Sequence, residues 1–284
     1  MDNINLKESN RITMKMTAVV LTRNEEKNIK RCLRSLDFCD EIIIIDDYST
    51  DNTLNQALKT LPDVKHSRWQ NNKIKIYKKK LTDFAQQRNF GQRKATGDWV
   101  LFIDADEEIS SELKNELVEF KRKDSDKEII AYYIKRRDFF WGRELKHGEI
   151  KKIRRKGLIR LVKKEVGIWE GKVHESLKLK VQSSKLKTFK SFINHYPHQT
   201  IKDFLKTINF YSTLRAKELY DFGIKTNVFQ LIFYPLGKFL LTYFVYLGFL
   251  DGPAGFVYSF MMSFHSFLVR AKLFQYYAKN AKND

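Results

Sequence analysis

The chain has 284 residues, 43% of them hydrophobic and 31% charged, which supplies a real core for one large domain, or a domain with an appendage, and excludes wholesale disorder. Lys and Arg number 53 against 34 Asp and Glu, and the resulting charge of +19 favours a polyanionic partner: nucleic acid, a phosphorylated substrate or an anionic membrane. Cys32 and Cys39 are too few for a disulfide framework, so two buried thiols in a reducing compartment are expected. Residues 1–15 are polar and lack the apolar stretch of a secretory signal, which places the chain in the cytoplasm or facing it.

Strand-like and helix-like pieces then alternate. Residues 17–21 form a short apolar run followed by Thr22, Arg23 and Asn24. Asn24 is placed to cap a helix in which Ile29, Leu33 and Leu36 recur at helical spacing. Four consecutive isoleucines, Ile42 to Ile45, suit a strand buried on both faces. Residues 49–52 open a second helix, 73–77 a third strand, and Thr82 and Asp83 cap a third helix that runs to Ala95 before Gly97. Residues 99–103 are a fourth buried strand, ending at Asp104. This alternation predicts an α/β fold of right-handed βαβ units in a doubly wound, mostly parallel sheet.

Beyond Ser110 the pattern predicts a helix to about Lys121, a strand over 129–134, an irregular and very basic stretch over 136–164, and a long helix from Thr200 to about Asp221. Residues 228–247 hold one charge (Lys238) and one proline (Pro235), and 253–269 hold no formal charge. Their length and aromatic content favour a shallow helical hairpin or two short spans in a membrane, with a pair of soluble core helices as the alternative. Arg270, Lys272, Lys279 and Lys282 would meet anionic headgroups.

Three polar clusters follow predicted strands. Asp104 and Asp106 flank Ala105, and alternation along an extended segment turns both carboxylates to one side, where a hard divalent ion could bridge them to substrate phosphates. Residues 46–53 and the Thr22–Glu25 segment end the second and first strands, and ligands of open α/β sheets sit at these carboxyl ends. A turn with helix-capping acids is the alternative for Asp104 and Asp106, and a loop that caps the next helix the alternative for residues 46–53. His195 and His198 flank Tyr196 and Pro197, but the proline and the missing Glu argue against a helix-borne zinc site.

The order of VVLTRNE, DDYSTDNT, QRNFG and GDWVLFIDAD resembles the family 2 inverting glycosyltransferases, and more narrowly the lipopolysaccharide-core β-glucosyltransferase-like branch. The resemblance covers roughly residues 16–220, with a familiar tail. It implies a Rossmann-like A-type nucleotide-binding fold in which Thr22, Asn24 and Glu25 border the nucleotide and Asp47 lies near the base. Arg88 would meet a phosphate, Asp104 the ribose and metal, and Asp106 would be the main ligand of Mg2+ or Mn2+. In the acceptor motif Trp169 to Glu175, Glu175 is the expected base and His174 its positioning partner, with Asp138 a lesser candidate.

The resemblance further implies a metal-dependent, hexosyl-type transferase using a nucleotide sugar, first of all a UDP-sugar, and a glycolipid or envelope-glycan acceptor. The expected site is the cytoplasmic face of the inner membrane. The expected division is 1–15 as an extension, 16–115 as the nucleotide-sugar half, 116–225 as the acceptor half with the long helix, and 226–284 as a membrane-associated hairpin. Transfer to a polyprenyl phosphate or to protein is an alternative. A non-enzymatic nucleic-acid or membrane binder is another, although acidic strand ends would repel nucleic-acid phosphates, and no nucleic-acid partner is expected.

Overall fold

The computed structural model describes residues 14–60, 74–122, 128–171, 176–179 and 185–280, without the side chains of 185, 279 and 280. In chain order these form β1 (Met16–Thr22), α1 (Ile29–Ser35), β2 (Glu41–Asp46), α2 (Thr53–Lys59), β3 (Ile74–Lys78), α3 (Phe84–Lys94), β4 (Trp99–Asp104), β5 (Glu107–Ile109) and α4 (Ser111–Arg122). There follow β6 (Ile129–Phe140), β7 (Arg143–Leu145), α5 (Lys151–Lys156), β8 (Leu158–Lys163), β9 (Gly167–Glu170), β10 (Ser176–Leu179), β11 (Lys185–His195), α6 (Ile201–Asp221), α7 (Val228–Leu240) and α8 (Gly252–Asn280).

The main sheet has the order β3-β2-β1-β4-β8-β6-β11-β5. β3, β2, β1 and β4 are parallel, with Val19 opposite both Ile43 and Phe102. Side chains alternate across these strands with period two. Ala18, Val20, Ile42, Ile44, Leu101 and Ile103 share a core with α1, α2 and α4, while Val19, Leu21, Ile43, Ile45, Val100 and Phe102 pack on the α3 side. Helices cover both faces, so a strand must be apolar throughout, and that is why the isoleucine run reads as it does. Beyond β4 the sheet changes character: β8 joins antiparallel to β4, and β6 antiparallel to β8. The parallel expectation therefore holds for four strands. The stretch expected to be irregular over 136–164 instead carries the end of β6, β7, α5 and β8.

One local device differs from expectation and another matches it. Asn24 does not cap α1; it has a left-handed backbone (φ 55°), and its Oδ1 accepts the Thr50 N–H at 2.8 Å. Asp83 does cap α3, accepting the Gln86 N–H at 2.7 Å while the Gln86 amide returns a bond of 2.7 Å to the same carboxylate. Both thiols are fully buried, and burial, with Glu107, Asp106 and Asp104 nearby, pushes the Cys32 thiol well above its ordinary range.

The chain divides into two compact units. The first comprises Met1–Lys135, Leu158–Trp169 and Leu177–Ile193, and the second Arg136–Gly157, Glu170–Ser176 and Asn194–Asp284. In the second, Phe204 and Ile208 of α6 pack with Phe140, Ile150, Ala254 and Tyr258, and further along Ala216 and Leu219 pack with Val269 and Leu273 of α8. A π-helical turn (Leu241–Val245) and a 3-10 turn (Gly248–Asp251) join α7 to α8.

Candidate active site

The strand order fixes where a ligand can enter the first unit. From β1 the chain steps outward to β2 and β3, then returns to the other side of β1 with β4, so the order reverses between β1 and β4. Open α/β sheets form their ligand crevice at such a reversal, outside the carboxyl ends. In register, Thr22 lies opposite Asp46, and Leu21 opposite Asp104. The loops that follow these residues bring together Thr22, Asn24, Glu25, Asp47, Asp104 and Asp106.

The first two loops are laced to each other. The Asn24 N–H donates to Ser49 Oγ at 2.9 Å, the Glu25 N–H to Thr53 Oγ1 at 2.7 Å, and the Glu26 N–H to Asp51 at 3.2 Å. Asp46, fully buried, accepts from the Ser49 N–H at 3.1 Å and from its hydroxyl. Asp47 accepts from Arg23 at 2.9 Å and from the Leu81 N–H at 2.8 Å. Asp46 thus organises the loop internally, Ser49 and Asp51 bind it to the loop after β1, and Asp47 ties it to both neighbouring strand ends.

Asp104 lies between two guanidinium groups. Arg88 of α3 reaches one carboxylate oxygen at 3.3 Å, and Arg160 of β8 the other at 2.8 Å. Arg160 also holds Glu107, whose side chain is wholly buried, at 2.7 Å. Glu107 in turn accepts the Asp104 N–H at 2.9 Å, closing the turn through Ala105 and Asp106. Arg160 is 3% exposed, so it is removed from the solvated basic run to which its sequence neighbours assign it. Arg88 additionally lies over the rings of Phe102 and Trp169, at 5.6 and 5.4 Å from their centroids.

The QRNFG segment supplies most of the scaffolding. The Gln87 amide donates to the Lys79 carbonyl at 3.0 Å. Asn89 both donates to and accepts from the Trp169 backbone, at 2.8 and 2.9 Å, and Gln92 accepts the Trp169 indole N–H at 3.1 Å. Gly91 lies against β1, where a Cβ would come 2.4 Å from Val19 Cγ1. The roles of Asn89, Gly91 and Gln92 are invisible in sequence because their partners are distant along the chain. An Arg in a strand (Arg160) and an Asn opposite a later strand (Asn89) carry no periodic signal.

Among the described residues no group of three or more His, Cys, Asp and Glu is arranged to hold a metal ion. Two carboxylates at a strand end do fit a hard cation that keeps waters and takes its remaining oxygens from substrate phosphates. Asp104 is about a third exposed at its side chain and Asp106 is half-buried, so both carboxylates are reachable. His174 and Glu175 lie outside the described residues, and the motif that carries them is described only as far as Gly171.

Asp138 belongs to the second unit. It is fully buried and bound by Arg136 at 3.0 Å and by His195 Nδ1. Burial raises its pKa, but Arg136 and His195 outweigh this and hold it at about 2. An enclosed carboxylate so strongly held in its charged form is a poor proton acceptor, so the geometry does not favour it as a base. His198 stacks on Phe204 with ring centroids 4.0 Å apart.

The fold is the A-type fold of glycosyltransferases. The architecture is similar to that of the mannosyltransferase PcManGT from Pyrobaculum calidifontis, solved with GDP-Man and Mn2+, with a TM-score of 0.52 at 14% identity over 89% of this chain and 74% of that one. The family model for glycosyl transferase family 2 matches residues 17–171, and the chain belongs to that family. An uncharacterized glycosyltransferase of Rickettsia typhi is 30% identical, covering 91% of this chain and 86% of its own length. The lipopolysaccharide core biosynthesis glycosyltransferase LpsC of Rhizobium meliloti is 28% identical, covering 94% of each.

Proposed function

We propose that this protein moves a sugar, with inversion, from a nucleotide sugar of the UDP-hexose kind to a hydroxyl of a glycolipid or envelope glycan such as lipopolysaccharide core. The observation that carries the reading is the placement of Asp104 and Asp106 at the carboxyl end of β4, at the strand-order reversal and beside the laced loops of β1 and β2. The full-length similarity to LpsC supports the acceptor class.

In this reading Thr22, Asn24 and Glu25 border the nucleotide and Asp47 lies near its base. Asp106, with Asp104, holds Mg2+ or Mn2+, which when bound neutralises the diphosphate leaving group as a Lewis acid. Arg88 and Arg160 fix the Asp104 carboxylate, so it meets its ligand without reorganising. Glu175 takes the proton from the acceptor hydroxyl and His174 positions it. The enzyme works on the cytoplasmic face of the inner membrane, with residues 226–284 as its membrane-associated part.

Transfer to extracted envelope glycolipid, measured with UDP-, GDP- and ADP-sugars, tests this. Glu175→Gln should lower the transfer rate by about 10²–10⁴-fold, the usual contribution of a general base, with donor affinity unchanged. An undiminished rate would remove Glu175 from the mechanism, and no transfer from any donor would overturn the reading.

A further inference from the structure

The second unit carries an exposed apolar surface. α7 has no buried residue, and Phe229, Ile232, Phe233, Phe244, Val245 and Leu250 are each more than half exposed. From Asn227 to Leu250 the one charged residue is Lys238. The segment Val228–Val245 is long and apolar enough to cross a membrane. Its attachments argue for another geometry.

α7 is fastened along its length to elements of its own unit. The Pro235 carbonyl accepts the Ser263 hydroxyl at 2.7 Å. Arg270 lies over the Tyr234 ring at 4.2 Å, and Lys238 pairs with Glu149 at 2.7 Å. Past its end, the Tyr246 carbonyl accepts the Gly148 N–H at 2.9 Å, and Asp251 accepts the N–H groups of Lys146 and His147 at 3.0 and 2.8 Å. α8, against which α7 lies, packs in turn along α6 from Phe204 to Leu219. α6 exposes Lys202, Asp203, Lys206 and Lys217 along its outer side, and such charges are costly in hydrocarbon. If α7 crossed a bilayer, it would carry α8 and the charged α6 with it.

Charge selects the occupant. Two residues beyond Glu149, α5 presents Lys151, Lys152, Arg155 and Lys156 to solvent. An aromatic-rich apolar face without a carboxylate, joined to a cluster of cations, matches the interface of an anionic leaflet. A second copy would bring cations against cations.

We propose that α7 and the turns after it form an in-plane anchor that sinks into one leaflet of an anionic bilayer without crossing it, while α5 holds the headgroups. This deepens the reading of a membrane-associated transferase, since it sets how the enzyme meets a lipid-borne acceptor.

The test uses the full chain and vesicles of phosphatidylcholine, alone or mixed with phosphatidylglycerol. Binding should need the anionic lipid and weaken with salt. Phe229→Asp with Phe233→Asp, or Lys152→Glu with Arg155→Glu, should each lower partition by about tenfold or more. Equal partition of both variants would overturn the proposal, as would lipid-free self-association that the double Asp variant abolishes. Lys225→Cys and Pro253→Cys flank the segment, and the native thiols are fully buried. In vesicle-bound protein, both new thiols should react with a membrane-impermeant maleimide without detergent; protection of one until detergent is added would show a span and overturn the in-plane geometry. Donor hydrolysis is read separately, so loss of turnover with binding intact counts against the transferase reading and not against the anchor.

Discussion

Asp104, Glu107 and Arg160 form a charged group in the first unit, with Arg160 and Glu107 buried. Removing Arg160 takes away the guanidinium that faces the buried Glu107 carboxylate at 2.7 Å. Arg160→Met should therefore lower unfolding stability by about 3–5 kcal/mol in urea titrations, with a smaller loss for Arg160→Lys. A loss within experimental error would show that the pair is not coupled to folding. Asp138 makes a prediction in pH. Its folded pKa, about 2, lies below the ordinary 3.8, so the stabilisation is complete above about pH 4 and is lost as pH falls through 2. It amounts to roughly 2 kcal/mol. Asp138→Asn should lose at least that much at pH 7 and show a flatter acid limb than the parent; parallel acid limbs would contradict the assignment.

At the scale of elements, α3 depends on two small features. Gly91→Ala would drive a methyl into Val19, which is fully buried on a central strand and cannot yield, at a cost of about 1–3 kcal/mol. Asp83→Ala removes the cap and should cost about 1 kcal/mol, measurable by thermal unfolding with donor affinity little changed. The four parallel strands and four helices of residues 16–122 were legible because their signals are local, among them four isoleucines, Asp83 ahead of α3, and Ile29, Leu33 and Leu36 on one helix face, whereas β5 was not read. β8 was not legible, because a buried Arg160 inside LIRLVK looks like part of a basic surface until Asp104, 56 residues earlier, is seen beside it. Asn24 misled for a related reason, since a residue type that caps helices also tolerates a left-handed turn. Of the site, the strand-end acids were visible as clusters, whereas the arginines and amides that hold them were not.

For the molecule as a whole, charge and apolar surface are sorted by task. The first unit pairs Asp104 and Glu107 with the buried arginines Arg88 and Arg160, and the second exposes α7 and the cations of α5. The proposed membrane surface and phosphate-bearing substrate would account for the excess positive charge, and the proposed cation for the carboxylates at the strand ends. The central claim is that Asp104 and Asp106 bind the metal of a nucleotide-sugar transferase. The most direct measurement is nucleoside diphosphate release from a panel of UDP-, GDP- and ADP-sugars, with Mn2+, Mg2+ or chelator, by the parent protein and by Asp106→Ala. The account predicts metal-dependent release from one donor class, reduced at least about a hundredfold in the variant by loss of that charge stabilisation. Release that survives the chelator and the substitution alike would contradict it.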